Sequence, residues 1–248
     1  MRLLLVNPNM TVAMTDKMAA IARKIAGSRA EIVPLTAQRG FPYIASRAEA
    51  QIAGGIALEM IAENLDGIDA VVIAAFGDPG LAGARELFDL PVVGMAEAAV
   101  MTAAMLGERF SVVTFSPLMT PWYSDCVEDT GLASRFTGVC TPETRAVDVT
   151  RVVTDLRGDL VDLANQAVRE DGADVVILGG APLAGLAPEI ADDVPAIVID
   201  PISAAVAQAM TLASLQVQFA GRTCKPAAKS SVGLSPALAE IIATETVQ

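Results

Sequence analysis

Four apolar runs in this chain end in residues that can do chemistry. Asn9 and Thr11 follow the run Leu3–Val6, and Thr114 and Ser116 lie at the end of the run Ser111–Phe115. Gly77-Asp78-Pro79-Gly80 follows Ala70–Ala74, and Gly179-Gly180-Ala181-Pro182 follows Val175–Leu178. Amides exposed in small-residue turns before a helix bind a carboxylate, a carbonyl oxygen or an oxyanion. The hydroxyls and the Asn9 amide add side-chain donors to the same places. Capping offers an alternative use for Thr11, Asp78 and Ser116, and for Asp78 it is the preferred one.

Other chemistries lack their residues. The chain has no histidine, which removes His-activated nucleophiles and His-ligated metal sites. Its cysteines, Cys126, Cys140 and Cys224, are odd in number and show no CxxC spacing; neither a disulfide framework nor a thiolate metal site is expected. Cys126 reads as packing on an amphipathic helix and Cys140 as the end of a strand. Gly179–Gly185 lacks the Lys-Ser/Thr of a phosphate-binding loop, and Gly77–Gly83 does not match G-x-G-x-x-G. Asp155, Asp159 and Asp162 share a helical spacing but read as a solvated face. Glu97 and Asp200 lie near strand ends, where base chemistry or a charge at a helix start is open to each.

The elements that hold these residues are short strands alternating with helices. Continuous Val/Ile/Leu runs predict parallel strands covered on both faces. They fall near Leu3–Val6, Ile32–Leu35, Ala70–Ala74, Val92–Val93, Ser111–Phe115, Phe136–Val139, Val175–Leu178 and Ile197–Ile199. Helices are expected near Thr11–Ala26, Arg47–Asn64, Ala96–Leu106, Met119–Asp129, Thr150–Glu170, Ile202–Leu215 and Pro236–Glu245, with Gly27 and Gly131 as stops. Gln216–Val232 reads as a surface connection. This alternation is an open α/β architecture.

The chain also repeats itself. Asp66-Gly67-Ile68-Asp69 is matched by Asp171-Gly172-Ala173-Asp174, an offset of 105 residues that also carries Ala75 onto Gly180. Asn7-Pro8-Asn9-Met10-Thr11 is echoed by Ser116-Pro117-Leu118-Met119-Thr120. Two copies of one half are therefore expected, joined near Leu106–Phe110. Residues 1–106 with 208–248 form one half and residues 107–207 the other. Ligands of open parallel sheets bind beyond the carboxyl ends of the strands, so two matching turns suggest one cleft between the halves.

Length and composition bound the rest. The chain has 248 residues, 53% hydrophobic and only 4% aromatic, with a net charge of −12. Such acidity disfavours nucleic acid and anionic lipid. The apolar amino end stops at Asn7-Pro8, too early for a signal peptide. The stretch Val92–Leu106 is broken by Glu97 and too short for a membrane span. A cytoplasmic protein is expected, with a homo-oligomer left open.

Taken together, these residues resemble the hydantoin and allantoin racemase branch of the aspartate/glutamate racemase superfamily. The likeness rests on Asn7-Pro8-Asn9 with Thr11, on Tyr43-Ile44-Ala45-Ser46-Arg47, and on Phe76-Gly77-Asp78-Pro79-Gly80-Leu81. Pro91-Val92-Val93-Gly94 and Val176-Ile177-Leu178-Gly179 with Ala184-Gly185-Leu186 extend it over nearly the whole length. It implies two pseudo-twofold-related flavodoxin-like parallel-sheet domains with the site between them, a small-molecule substrate and no cofactor or metal. It implies substrate contacts from Asn9, Thr11, Ser46, Ala75, Phe76, Gly77, Thr114, Phe115, Ser116, Gly180, Ala181 and Pro182. In that family two cysteines face the substrate's α-carbon from opposite sides, one thiolate taking a proton and the other thiol returning one. The matching positions here are Ala75 and Gly180, which carry no proton. Cys126 and Cys140 fall outside the motif and are not replacements. The expected activity is at the α-carbon of a small hydantoin-like ring or carboxylate, without two thiols. Ring-opening hydrolysis, decarboxylation or double-bond isomerisation in the same cleft is the alternative, and non-catalytic binding of a small molecule is a third.

Overall fold

Eight short apolar runs become eight parallel strands, seen in a computed structural model that describes residues 1–143, 148–149, 151–219 and 225–244. The first half is β1 (Arg2–Asn7), α1 (Val12–Ala26), β2 (Glu31–Thr36), α2 (Arg47–Ala62), β3 (Ala70–Ile73), α3 (Leu81–Leu87) and β4 (Val92–Gly94). After α4 (Met95–Leu106) the second half follows: β5 (Phe110–Val113), α5 (Thr120–Asp129), β6 (Phe136–Cys140), α6 (Val152–Asp155), α7 (Arg157–Asp171), β7 (Val175–Leu178), α8 (Ala187–Ile190) and β8 (Ile197–Ile199). Helices α9 (Pro201–Ser214) and α10 (Pro236–Ala243) close the order.

The strands form two four-stranded sheets, ordered β2-β1-β3-β4 and β6-β5-β7-β8. One order maps onto the other, so the internal repeat is a repeat of topology. The central strands β3 and β7 are buried along their whole lengths, as expected of strands with helices on both faces. Register is also shared: β1 pairs Leu3 with Ala70, and β5 pairs Phe110 with Val175.

The last helix of each half packs on the other half's sheet. α4 lies against β5, β7 and β8, while α9 lies against β3 and β4 and also touches α1 and α4. Gln208 of α9 donates to the Ala98 carbonyl at 2.8 Å and to Thr102 Oγ1 at 2.9 Å on α4. The divisions expected at residues 106 and 207 thus fall at the end of one exchanged helix and inside the other. α10 returns to α2.

Some local expectations shift. The helix expected at Thr150–Glu170 is interrupted at Leu156, which separates Asp155 on α6 from Asp159 and Asp162 on α7. Asp155 pairs with Arg151 at 3.1 Å. Thr150, Glu245, Cys224 and part of the connection Gln216–Val232 lie outside the described residues. Among the described residues, no helix is long and apolar enough to cross a membrane, and no cluster of three His, Cys, Asp or Glu side chains could hold a metal.

Candidate active site

Strand order locates the site. In each sheet the central strands run next to each other while their following connections leave in opposite directions, which opens a crevice at their carboxyl ends. Asn9 follows β1 and Ala75–Gly77 follow β3; Thr114–Ser116 follow β5 and Gly180–Pro182 follow β7. A small cavity lies there, lined by Asn9, Tyr43, Ile44, Ala75, Phe76, Tyr123 and Ala181, with room for about one water-sized sphere, ≈ 10 Å³. The turns of both halves therefore meet at one place.

The first turn is rigid. Asn7 donates to Thr15 Oγ1 at 2.9 Å and to Asn9 Oδ1 at 3.1 Å, and it accepts from the Asn9 amide at 3.2 Å. The Thr11 amide adds a 2.9 Å bond to Asn9 Oδ1. The acceptor side of the Asn9 amide is thus satisfied within the turn, and among the described residues its Nδ2 meets only Met14 Sδ at 3.9 Å. Asn7-Pro8-Asn9 thus fixes the Asn9 side chain, which lines the cavity, within its own turn.

Thr11 and Ser46 do different work. Thr11 Oγ1 donates to the Pro42 carbonyl at 2.6 Å, and the Met10 amide donates to the Phe41 carbonyl at 2.9 Å. These bonds hold the segment 37–46 over the strand ends, with Tyr43 on it. Ser46 accepts from the Glu49 amide at 3.2 Å while Glu49 accepts from the Ala45 amide at 2.6 Å. This reciprocal capping box starts α2, and neither Thr11 nor Ser46 lines the cavity.

In the second half, Thr114 and Ser116 are buried. The Ser116 carbonyl accepts from Met119 at 3.1 Å, where a single 3₁₀ turn leads into α5. Thr114 Oγ1 is fully buried and, among the described residues, has no partner in hydrogen-bonding geometry. A buried hydroxyl without a partner is costly; this one lies beneath Tyr123 and is not among the residues that line the cavity. The Pro182 carbonyl is engaged by Lys17 of α1 at 3.0 Å, which ties the second half's turn to the first half.

The side chains that fill the crevice are aromatic. Tyr43 packs on Phe115 with ring centroids 5.9 Å apart, Phe76 meets Tyr123 edge-on at 4.6 Å, and Trp122 tilts against Tyr123 at 5.6 Å. Both tyrosines and the single tryptophan of the chain are in this group. Sequence reasoning passed over Trp122 and Tyr123; their rarity in a chain that is 4% aromatic was the available signal. Burial pushes both phenols above the usual tyrosine value, and the Tyr123 hydroxyl is coupled to those of Tyr43 and Thr114. It faces Thr114 Oγ1 without closing a bond of ordinary geometry. Both phenols are held as proton-bearing donors.

The carboxylates near the strand ends serve structure. Asp78 accepts from the amides of Ala96 and Glu97 at 2.8 Å each. It therefore caps α4, rather than the helix that directly follows its own turn. Glu97 is paired with Arg85, and Asp200 caps α9 through Ser203 at 2.9 Å and binds the Gly185 amide. Cys126 lines an outer groove of ≈ 800 Å³ bounded by α2, the turn 77–83 and α5, and burial raises its thiol. Cys140 lies 3.6 Å from Ser111 Oγ, away from the cavity.

Two like α/β halves meeting strand end to strand end define a class of small-substrate enzyme with a pseudo-twofold site. A family model described as Asp/Glu/Hydantoin racemase matches residues 3–209, and the chain belongs to that family. It is an isomerase-family enzyme acting on a small substrate. A hydantoin racemase of Paenarthrobacter aurescens is 32% identical over 233 residues, 92% of this chain and 99% of that protein. The crystal structure of an allantoin racemase from Pseudomonas fluorescens is similar with a TM-score of 0.87 at 32% identity, covering 94% of this chain and 100% of that one. An allantoin racemase from Klebsiella pneumoniae gives 0.88 at 32% identity, covering 96% and 98%.

Proposed function

We propose that the protein acts at the α-carbon of a small cyclic amide of the hydantoin type, or of a small carboxylate, without a two-thiol mechanism. The kinship with hydantoin and allantoin racemases supports the substrate class. The resemblance gives the two thiols to the positions of Ala75 and Gly180. The intermediate is an enolate whose oxygen is stabilised by fixed donors, among them the Asn9 amide, the Thr114 hydroxyl and the strand-end amides. Such preorganised donors supply the largest part of catalysis in reactions of this type.

The observation that carries this reading is the cavity lining, which combines neutral donors with apolar walls and contains no carboxylate or thiol. A site of this kind stabilises an enolate better than it makes one. It also favours a second reading, in which a bond breaks without a protein base, as in decarboxylation.

Proton NMR in deuterated buffer separates the two readings. The substrates are 5-substituted hydantoins, allantoin, amino acids and small dicarboxylates, each with an enzyme-free control. Enzyme-dependent loss of the α-proton signal with the ring intact is the outcome expected for the first reading. A decarboxylated product moves the assignment to the second. Absence of any change across the panel removes both.

A further inference from the structure

Gly180 has a φ of +119°, and a Cβ built there would stand 3.4 Å from the Tyr123 hydroxyl and 2.9 Å from Phe115 Cε1. The ring of Tyr123 lies along the preceding glycine, where a Cβ at Gly179 would be 3.1 Å from Cε2. The two glycines thus make room for a tyrosine delivered by α5. Its hydroxyl reaches the space that a residue-180 side chain would occupy.

We propose that Tyr123 is the catalytic acid of this site, delivering a proton to the substrate's α-carbon from the Gly180 side. The proposal rests on the reading above that the site handles an enolate. In this step the Oη–H bond breaks and a C–H bond forms at the α-carbon. The enolate's electron pair makes the new bond, and the O–H pair remains on Oη as a phenolate. Water returns a proton to it when the site opens, with Tyr43 and Thr114 as the neighbouring hydroxyls. A phenol is acidic enough to protonate a carbanion and, when buried, stays protonated until it is used.

The opposite wall predicts the stereochemistry. Ala75 and Phe76 line the cavity there with a methyl group and a phenyl ring, and neither bears a transferable proton. Racemisation needs a proton carrier on each face. The cavity's other phenol, Tyr43, neighbours the Tyr123 hydroxyl and so adds no carrier on the Ala75 wall; with carriers on one face only, protonation occurs from one side and the product has one hand.

The test compares the wild type with Tyr123→Phe, which keeps the ring packing on Gly179, Phe76 and Trp122. Turnover is followed with 5-methylhydantoin, allantoin and phenylmalonate in deuterated buffer. The expected result is a fall in kcat of about 100-fold or more with little change in KM, the usual scale for loss of a general acid. Wild-type product should carry deuterium with a single configuration. An active Tyr123→Phe variant, or wild-type product of both hands, overturns the proposal while leaving the proposed function standing. A silent wild type instead removes the proposed function. Contact between Tyr123 and the ligand is read by a second measurement, which also serves if Tyr123→Phe does not fold. In a Tyr43→Phe background, 3-fluorotyrosine labels position 123 alone, because the chain has two tyrosines. A shift of its fluorine resonance on titration with hydantoin supports contact between phenol and ligand. No shift overturns it.

Discussion

A single carbon atom at Gly77 would collide with the site. With φ at +109°, a Cβ there would stand 2.1 Å from Trp122 Cζ2. Gly77→Ala combines backbone strain with overpacking, and a loss of about 2–5 kcal/mol is expected. Urea unfolding followed by the fluorescence of the lone Trp122 measures it, and a loss below about 1 kcal/mol would refute the account. Gly180 raises a related point about thiols. Ala75→Cys enlarges a residue beside the cavity and should fold with a cost of about 1–3 kcal/mol. Gly180→Cys meets Phe115 and a φ that disfavours any side chain, so introducing thiols at both positions is not expected to produce hydantoin racemisation. The triple variant with Phe115→Leu removes the side-chain clash while the strain of the φ of +119° stays, and of the two variants it is the one expected to gain racemisation. Chiral chromatography of 5-methylhydantoin would show it, and racemisation by the double variant alone would contradict the steric argument.

At the level of elements, each half uses one carboxylate to tie the turn after its third strand to the helix after its fourth. In the first half the carboxylate comes from the turn: Asp78 reaches the start of α4, and Gly94 has no side chain because a Cβ would stand 2.3 Å from the Asp78 carboxylate. In the second half it comes from the helix: Asp200 caps α9 and reaches back to the Gly185 amide. The clasp is conserved in function and inverted in direction between the copies. Asp78→Ala removes two caps and should cost about 1–3 kcal/mol. Burial raises the Asp78 carboxyl to about 7, against the pull of the two amides and Arg85. An unfolded aspartate titrates at about 4. A folded value above the unfolded one means that this group's contribution is fully present below about pH 4 and is lost as pH rises through about 7. Urea midpoints should therefore carry a declining contribution from about pH 4 to about pH 7 in the wild type, levelling off above that, with this contribution missing in Asp78→Asn. Parallel pH profiles for the two proteins would count against it.

Across the whole molecule, exchange of α4 and α9 makes the two sheets mutually dependent, and unfolding in one cooperative step is expected. The closed crevice has a lighter fastening. Arg47 at the start of α2 binds Asp125 of α5 with one contact at 2.8 Å and also donates to the Pro121 carbonyl at 3.0 Å. It therefore links the segment carrying Tyr43 to the helix carrying Trp122 and Tyr123. A cavity of ≈ 10 Å³ is too small for the proposed ring, so on that proposal entry requires these parts to separate. An exposed ion pair contributes little to stability. Arg47→Ala should leave the urea midpoint nearly unchanged while making Trp122 more accessible to acrylamide. Unchanged quenching would show that Arg47 does not restrain the crevice.

Apolar runs marked all eight strands and the twofold repetition, most plainly the buried central strands β3 and β7, while the edge strands β2 and β6 are only half-buried and β6 is interrupted by Thr137 and Gly138. The turns at Asn9, Ala75, Thr114 and Gly180 were legible for the same reason, since each must follow such a run. Their small and polar residues marked the strand ends as candidate site positions. Three features were set only in the tertiary structure. Asp78 looked like a cap for the nearest helix, yet it serves α4, 18 residues away from its first amide partner. Ser46 and Thr11 carry the right chemistry but spend it on a capping box and a loop carbonyl. Tyr43 and Tyr123, far apart in the chain, bring their hydroxyls to one crevice only when α2 and α5 face each other. Local patterns record which face of an element is buried, because burial repeats with the element's own period. They do not record which distant donor, ring or carboxylate will share that burial, because this depends on how the two halves close.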